Sequence, residues 1–227
     1  MKSAKVSKLS DWNIEGAISE VYLMDCVEAM KHYSDKHFSL AVCDPPYGLD
    51  IANMNMGAGK SKKSSNIKNR KWKPKSWDAN TPTKEYFSEL FRVSQNQIIW
   101  GGNYFDLPPC KHYLIWDKEI PDGLSFADCE FAWTSFNNAP RIFRYSAYLD
   151  KKYKMHPTQK SVSLYSYIFK NYAKEGDLIL DTHLGSGSSR IAANKANLDF
   201  IGFEIDEDYF NDSEKRFKNF VSQLTLF

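Results

Sequence analysis

Short apolar runs alternate with stretches of helical periodicity along most of this chain of 227 residues. Each run ends at or near a polar residue, a glycine or a proline, which is the pattern of strands buried inside a sheet. The predicted strands are Val21–Met24, Phe38–Cys43, Gln97–Trp100, Tyr113–Trp116, Glu130–Trp133, Asp177–Leu180 and Phe200–Phe203. Helices are predicted from Cys26 onward and at Tyr86–Val93, Ser161–Tyr172, Arg190–Asn197 and Asp208–Leu224. This alternation predicts an α/β fold with one seven-stranded, mostly parallel sheet.

The length and composition fit a single domain that covers residues 1–227. Hydrophobic residues make up 42% of the chain, enough for a sizeable core. No apolar run is long enough to cross a bilayer, and Met1–Lys5 is not followed by an apolar segment, so we expect a cytoplasmic protein without membrane contact. The four cysteines form no C-x-x-C pair, so we expect reduced thiols and no metal site.

Residues 48–82 interrupt the alternating pattern. This basic loop is rich in Gly, Asn, Ser and Lys and has almost no apolar periodicity, which is typical of a functional loop or a solvated insertion. Between Gly57 and Trp77 it carries eight basic residues and no acidic one, although the net charge of the whole chain is only +2. We predict that it binds nucleic-acid phosphates, with Trp72 and Trp77 available for stacking on bases. The basic residues are Lys60, Lys62, Lys63, Lys68, Arg70, Lys71, Lys73 and Lys75.

A rigid turn, Asp44-Pro45-Pro46-Tyr47, closes the second predicted strand. Neither proline can donate to a sheet ladder, so the strand must end here. In open α/β sheets, ligands bind at the carboxyl ends of the strands. The turn is therefore predicted to present a carboxylate and an aromatic ring to a ligand. A plain strand-ending turn capped by Asp44 is the alternative.

A second ligand-binding turn is predicted at residues 181–189, between a strand and a helix. The glycines of Gly185-x-Gly187 allow a ligand to approach the backbone and the helix N-terminus closely. Glu204 ends the next strand 17 positions after Gly187, near the spacing of an acid that binds ribose hydroxyls. A solvated strand-end acid is the alternative. A nicotinamide site is disfavoured, because Arg190 stands where a third glycine would be needed.

Taken together, these segments resemble the amino-group DNA methyltransferases, which use S-adenosylmethionine to methylate N6 of adenine or N4 of cytosine. Asp44–Tyr47 match the catalytic turn of that family, residues 181–187 match its cofactor turn, and His156–Lys160 match the segment that meets the methionine end of the cofactor. The catalytic turn precedes the cofactor turn, as in the permuted β class. The resemblance thus implies a Rossmann-like methyltransferase fold with a circularly permuted motif order.

The resemblance also implies a role for each matched residue. Asp44 and a main-chain carbonyl of Pro45-Pro46 would accept the N–H groups of the target amine, and Tyr47 would stack on a base flipped out of the duplex. Asp25 would face the cofactor adenine and Lys160 its carboxylate. The full set of expected cofactor-binding residues is Asp25, Thr158, Lys160, Asp181, Gly185, Ser186, Gly187 and Glu204.

The chain departs from the family pattern in two places. Thr182-His183 replace the usual Pro-Phe of the cofactor turn, and Ser161 stands where a proline usually follows the lysine. Because Pro157 cannot lie inside a helix, Thr158 is the predicted N-cap of the helix that follows.

The aspartate at the first position of the catalytic turn favours an adenine-N6 DNA methyltransferase, and a cytosine-N4 enzyme is the alternative. A catalytically silent DNA-binding module is disfavoured by the complete catalytic turn. A protein-glutamine methyltransferase is disfavoured because that group usually carries asparagine at position 44 and lacks a basic loop. DNA is the expected partner. The resemblance makes a second copy of the chain and a cognate restriction nuclease candidate partners.

Overall fold

The computed structural model describes residues 5–8, 17–49, 80–122, 127–147, 149 and 158–224. Most of the basic loop lies outside these residues, and so do its eight basic side chains, Trp72 and Trp77. His156 and Pro157 also lie outside them.

Within the described residues, nine strands form one mixed sheet. In chain order they are β1 (Lys5–Lys8), β2 (Ser19–Leu23), β3 (Phe38–Cys43), β4 (Ser94–Trp100), β5 (Tyr113–Asp117), β6 (Cys129–Thr134), β7 (Arg141–Arg144), β8 (Leu178–Asp181) and β9 (Asp199–Glu204). Their spatial order is β1-β2-β9-β8-β3-β4-β6-β5-β7. The strands from β2 to β4 in this order are parallel. Strand β6 runs antiparallel to β4 and β5, β1 is antiparallel to β2, and β7 is parallel to β5.

Helices connect or flank the parallel strands. They are α1 (Cys26–Met30), α2 (Lys84–Val93), α3 (Val162–Tyr172), α4 (Ser188–Lys195) and α5 (Glu207–Leu224). Helix α3 begins at Ser161, whose hydroxyl accepts the amide hydrogen of Leu164, so the predicted N-cap at Thr158 is wrong. A serine hydroxyl three residues before a free helix amide satisfies it directly, whereas Thr158 lies a turn too early. In the part of the chain that the structure describes, no helix is long and apolar enough to cross a membrane.

The core covers both faces of the central strands. In β3, Leu40 and Val42 pack in one cluster with residues of α3 and α4, whereas Ala41 and Cys43 pack in another with residues of α1 and α2. A strand covered by helices on both faces needs apolar side chains at every position, which explains the unbroken apolar run of β3. The predicted α/β fold with a mostly parallel sheet is thus confirmed.

The predicted number of strands is too low by two. All seven predicted strands are present, and β1 and β7 lie beyond them at the two edges of the described sheet. Ile142 and Phe143 are the only apolar residues of β7, and Val6 is the only one of β1. An edge strand is partly open to solvent, so it forms without the apolar run on which the prediction depended.

Candidate active site

Acidic residues mark the edge at which the parallel strands end, here called the carboxyl edge. Glu204 ends β9 and Asp181 ends β8, while Asp25 and Asp44 follow β2 and β3 closely. Because these strands are neighbours in the order β2-β9-β8-β3, the four acids succeed one another along this edge. Three of the predicted cofactor residues, Asp25, Asp181 and Glu204, and the catalytic turn are therefore brought to one edge of the sheet.

Asp44 is held through one of its two carboxylate oxygens. Its Oδ1 accepts a hydrogen bond from Tyr47 Oη at 2.7 Å and forms an ion pair with Lys160 Nζ at 2.5 Å. No residue in the described ranges donates a hydrogen bond to Oδ2. Burial raises the pKa of Asp44 above that of an ordinary aspartate; the Lys160 ammonium opposes this effect and the Glu130 carboxylate adds to it.

The ring of Tyr47 is fixed by aromatic neighbours from the segment after β4. It stacks on Tyr104 with ring centroids 5.1 Å apart and meets Phe105 edge-on at 6.1 Å. Gly101 allows this packing, because a Cβ at that position would lie 2.2 Å from Tyr47 Cε1. Since Tyr104 covers one face of the Tyr47 ring, the predicted stacking of Tyr47 on a flipped base stays a prediction.

Lys160 lies beside the catalytic turn. Its side chain is 2% exposed, and its ammonium contacts Glu130 Oε2 at 3.1 Å and Tyr47 Oη at 3.2 Å in addition to Asp44. Burial alone would lower the pKa of Lys160, but the Asp44 and Glu130 carboxylates raise it above its ordinary value. The role predicted for Lys160, contact with the cofactor carboxylate, stays a prediction.

Glu130 is a site residue that the sequence reasoning missed. Burial acts to raise the pKa of Glu130, but the ammonium groups of Lys160 and Lys118 lower it to about 2, so the side chain is ionised. Lys118 Nζ lies 2.8 Å from Glu130 Oε1. One signal could have revealed this residue: an acid stands inside the otherwise apolar run Cys129–Trp133.

Asp181 holds the cofactor turn from within. It is 1% exposed, its Oδ1 accepts the amide hydrogen of His183 at 3.0 Å, and its Oδ2 accepts the Ser189 hydroxyl at 2.5 Å. Burial raises the pKa of this carboxyl to about 7. Its geometry suits a residue that shapes the turn around a ligand.

Gly185 and Gly187 both adopt a positive φ, 51° and 70°. The amide of Gly185 donates to Glu204 Oε2 at 2.8 Å, and the other oxygen of Glu204 accepts from the Asp206 amide at 2.8 Å. These two bonds fix the carboxylate and leave lone pairs for further donors. Burial raises the pKa of Glu204 above its ordinary value.

The surroundings of Glu204 fit a nucleoside. Ile205, immediately after it, is 65% exposed and offers an apolar surface to a flat ring, a feature that the sequence reasoning missed. A Cβ at Gly185 would meet only His183 O, at 3.9 Å, so the backbone is open to a ligand there. Ser186 is buried, and Arg216 donates to its carbonyl at 2.8 Å. A fixed carboxylate acceptor, an open backbone and an apolar neighbour together suit S-adenosylmethionine.

The remaining predicted cofactor residues contribute differently. Asp25 caps α1 through Oδ1, which accepts the amide hydrogens of Val27 and Glu28 at 2.8 and 3.0 Å. Thr158 begins the described segment before α3, and its predicted contact with a ligand stays a prediction. Neither observation conflicts with a position near the cofactor.

The departure at Thr182-His183 is accommodated by a hydrogen-bond network. Thr182 Oγ1 lies 2.8 Å from Tyr86 Oη and 2.9 Å from His183 Nδ1. Burial lowers the pKa of His183 to about 4, so the imidazole is neutral at physiological pH.

A Rossmann-like parallel sheet that carries an Asp-Pro-Pro-Tyr turn beside a glycine turn and a ribose-type acid defines a class, the S-adenosylmethionine-dependent methyltransferases. A family model described as DNA methylase matches residues 54–215 of this chain. The chain therefore belongs to the N6/N4 DNA methylase family, whose cofactor is S-adenosylmethionine.

Individual relatives agree with this assignment. The chain is 29% identical over 142 residues to the type II methyltransferase M2.DpnII of Streptococcus pneumoniae, a match that covers 62% of this chain and 48% of that protein. It thus spans about half the length of M2.DpnII. It is 22% identical to the type II methyltransferase M2.MboI of Moraxella bovis, with 90% of this chain and 89% of that protein covered.

Solved structures share the fold. The M1.HpyAVI–SAM complex superposes with a TM-score of 0.57 at 20% identity, with 86% of this chain and 98% of that chain covered. The cytosine-N4-specific PvuII DNA methyltransferase superposes with a TM-score of 0.56 at 14% identity, with 88% and 86% covered.

Proposed function

We propose that this chain transfers a methyl group from S-adenosylmethionine to N6 of adenine in DNA. The observation that carries the proposal is the state of Asp44 at the carboxyl edge. Its Oδ1 is anchored by Tyr47 and Lys160, and its Oδ2 accepts no hydrogen bond from the described residues. Family membership supports methylation of an amino group on a DNA base.

Asp44 acts on the target amine as a hydrogen-bond acceptor. The lone pair of an exocyclic amine is delocalised into the base, so the nitrogen is a weak nucleophile. A carboxylate oxygen and a main-chain carbonyl of the Pro45-Pro46 turn accept its two N–H groups, which turns the lone pair out of the plane of the ring. Lys160 and Tyr47 stabilise the ionised form of Asp44 that this step requires.

The cofactor supplies an activated methyl group when it is bound. The residues that would hold it are those of the cofactor turn, with Glu204 as acceptor for ribose hydroxyls and Ile205 against the adenine ring. The glycine turn follows β8, and β8 is the neighbour of β3, so a methyl donor bound by this turn would lie beside the catalytic turn.

The target base would be received near Tyr47 and Tyr104. Tyr104 is 45% exposed and stacks on Tyr47, so a flipped base either replaces Tyr104 on the Tyr47 ring or stacks on the outer face of Tyr104. Both arrangements supply the aromatic surface that an unstacked base needs.

Adenine is favoured over cytosine because an aspartate occupies position 44. Cytosine-N4 transfer is the second candidate, and it is supported by the likeness to the cytosine-N4-specific PvuII enzyme. DNA is the proposed partner, with the basic loop on its phosphates. The type II relatives also favour a cognate restriction nuclease, and a second copy of the chain remains a candidate partner.

Transfer from tritiated S-adenosylmethionine to unmethylated DNA, followed by nucleoside chromatography, tests the proposal. We expect the label in N6-methyladenosine. Label in N4-methylcytosine would establish the second candidate, and no label with intact cofactor binding would contradict both.

Asp44→Asn, which keeps the size of the side chain, is the matched variant for this assay. Asparagine offers one weaker acceptor, so transfer should fall by about 10²-fold or more, while cofactor affinity measured by calorimetry stays close to that of the wild type. Equal losses of transfer and cofactor affinity would contradict the role of Asp44.

A further inference from the structure

Four side chains of alternating charge lead from β5 and β6 to the catalytic turn. This ion chain consists of Lys118, Glu130, Lys160 and Asp44. Its successive contacts measure 2.8 Å from Lys118 Nζ to Glu130 Oε1, 3.1 Å from Glu130 Oε2 to Lys160 Nζ, and 2.5 Å from Lys160 Nζ to Asp44 Oδ1. The side chains of its members are between 2% and 25% exposed.

The outer half of the ion chain is fixed by strand pairing. Glu130 pairs with Trp116 in the β5–β6 ladder, and the amide of Lys118 donates to the Asp128 carbonyl at 2.8 Å. The Lys118 ammonium also lies 5.7 Å from the centroid of the Trp116 ring. The two carboxylate oxygens of Glu130 are thus shared between two ammonium groups at defined positions.

Lys160 needs both of its carboxylate partners. If Asp44 were the only carboxylate partner of the buried Lys160 ammonium, both Asp44 oxygens would attract the uncompensated charge. Because the Glu130 carboxylate also balances the Lys160 charge, the ammonium can stay in contact with Asp44 Oδ1 alone. Asp44 Oδ2 is then left for the target amine.

We propose that Glu130, held by Lys118, is a positioning residue for methyl transfer, because it confines the Lys160 ammonium to one oxygen of Asp44. This inference rests on the proposed function, in which Asp44 accepts the amine N–H. Glu130 itself does not touch the reacting atoms.

Substitutions of Glu130 and of Lys118 should shift the pKa of Asp44 in opposite directions. Glu130→Gln removes a negative charge that raises the pKa of Asp44, so that pKa should fall. Lys118→Met removes a positive charge and leaves Glu130 less neutralised, so the pKa of Asp44 should rise. The other titratable groups of the described residues that interact with Asp44 are Tyr47, Tyr165 and Asp181. They are common to all variants, so differences between variants isolate the ion chain.

The test compares Glu130→Gln, Lys118→Met and a control, Glu85→Gln. The control breaks an exposed ion pair of Glu85 with Lys31, 2.9 Å long, that has no contact with Lys160. We expect kcat of E130Q to fall by about 10²-fold, the loss typical of a reacting group displaced by about 1 Å. The acidic limb of the kcat–pH profile should move to lower pH in E130Q and to higher pH in K118M. Cofactor affinity should stay close to the wild type in both variants, whereas their melting temperatures should fall because each leaves a buried charge with one partner fewer. E85Q should match the wild type throughout.

A second measurement keeps the inference separate from the proposed function. A ¹³C NMR titration of the Asp44 carboxyl in the same variants follows its pKa without turnover. If the wild-type protein methylates DNA but neither variant moves the acidic limb or the NMR titration, the positioning role is wrong. If the wild-type protein methylates no DNA while the titrations still move in opposite directions, the proposed function is wrong and the electrostatic arrangement holds. A loss of cofactor affinity in E130Q as large as its loss of transfer would overturn the inference.

Discussion

At the scale of single residues, burial and the available donors decide the charge of the acids along the carboxyl edge. Burial raises the pKa of Asp44, Asp181 and Glu204 alike. Asp44 has an ammonium beside it, whereas Asp181 and Glu204 receive hydrogen bonds only from neutral groups of the described residues. Burial destabilises the ionised form of a carboxyl most when no cation lies nearby. The pKa of Asp181, which is 1% exposed, is therefore raised to about 7.

This titration should be visible in the stability of the protein. The folded protein keeps the Asp181 proton up to a pH of about 7, whereas the unfolded chain releases it near pH 4. The free energy of unfolding therefore loses a contribution as the pH rises through this window. In Asp181→Asn the loss is absent, so the stability of the variant relative to the wild type should rise by about 1–4 kcal/mol across it.

Urea unfolding of both proteins at a series of pH values measures this difference. Asp177→Asn controls for the removal of one carboxylate, because Asp177 also accepts a backbone hydrogen bond but lies at the other end of β8. Stability curves of the wild type and D181N that run parallel across the window would contradict the assignment.

The residue types of the site were predictable, but their pairings were not. The catalytic turn, the two glycines and Glu204 follow from local patterns, because each stands at the end of a strand. The contact between Glu130 and Lys160 joins β6 to the segment before α3, and no local pattern encodes which ammonium meets which carboxylate. Lys160 was therefore expected beside the cofactor carboxylate, and its contacts with the catalytic turn were missed.

At the scale of elements, the turn after β4 shows how a loop fixes the side chain of Tyr47. Gly101 adopts a φ of 70° and closes β4 against the ring of Tyr47. The next residues form a short 3₁₀ turn, Gly102–Tyr104, which brings Tyr104 onto that ring. Two requirements meet at Gly101: a left-handed backbone and no side chain.

The two requirements can be separated by replacing Gly101 with alanine and making the same replacement at Gly176, another glycine with a left-handed backbone. Gly101→Ala should displace Tyr47, because the new Cβ would lie 2.2 Å from its ring. Gly176 has a φ of 81°, and a Cβ there would meet no atom of the described residues within 4 Å, so Gly176→Ala adds only backbone strain, about 1 kcal/mol. We expect G101A to lose more stability than G176A in thermal melts and to lose most methyl transfer. Equal stability and activity of the two variants would contradict the packing argument.

The elements differed in how far the sequence predicted them. The buried parallel strands are continuous apolar runs because helices cover both of their faces, and these were found. Strands β1 and β7 at the sheet edges lack such runs, and they were missed. The cap of α3 was assigned to Thr158 because Pro157 cannot lie inside a helix. The helix begins three residues later, and its backbone geometry selects Ser161 as the cap.

At the scale of the whole molecule, the order of the strands and the distribution of charge along the sequence lead to a prediction about DNA binding. Strands from the two ends of the chain, β2 and β9, pair near the cofactor turn, as expected of the permuted motif order. The basic loop follows the catalytic turn directly in sequence. It holds eight of the 30 basic residues, and the rest of the chain is net negative. Positive charge concentrated next to the catalytic turn would draw the phosphate backbone to the carboxyl edge.

Neutralisation of the basic loop should therefore weaken DNA binding and reduce its dependence on salt. Each lysine that contacts a phosphate adds about 0.9 to the slope of log K against log salt concentration, so replacing Lys71, Lys73 and Lys75 with glutamine should reduce the slope by up to about 2.7. The control replaces Lys170, Lys174 and Lys195 with glutamine. These lysines are exposed and precede β8 and β9, at the edge of the sheet opposite the catalytic turn. Both triple variants lose three positive charges. Fluorescence anisotropy titrations at several salt concentrations therefore distinguish contacts between the loop and DNA phosphates from an effect of net charge alone. An unchanged slope in the loop variant, or an equal reduction in both variants, would contradict binding of phosphates by the loop.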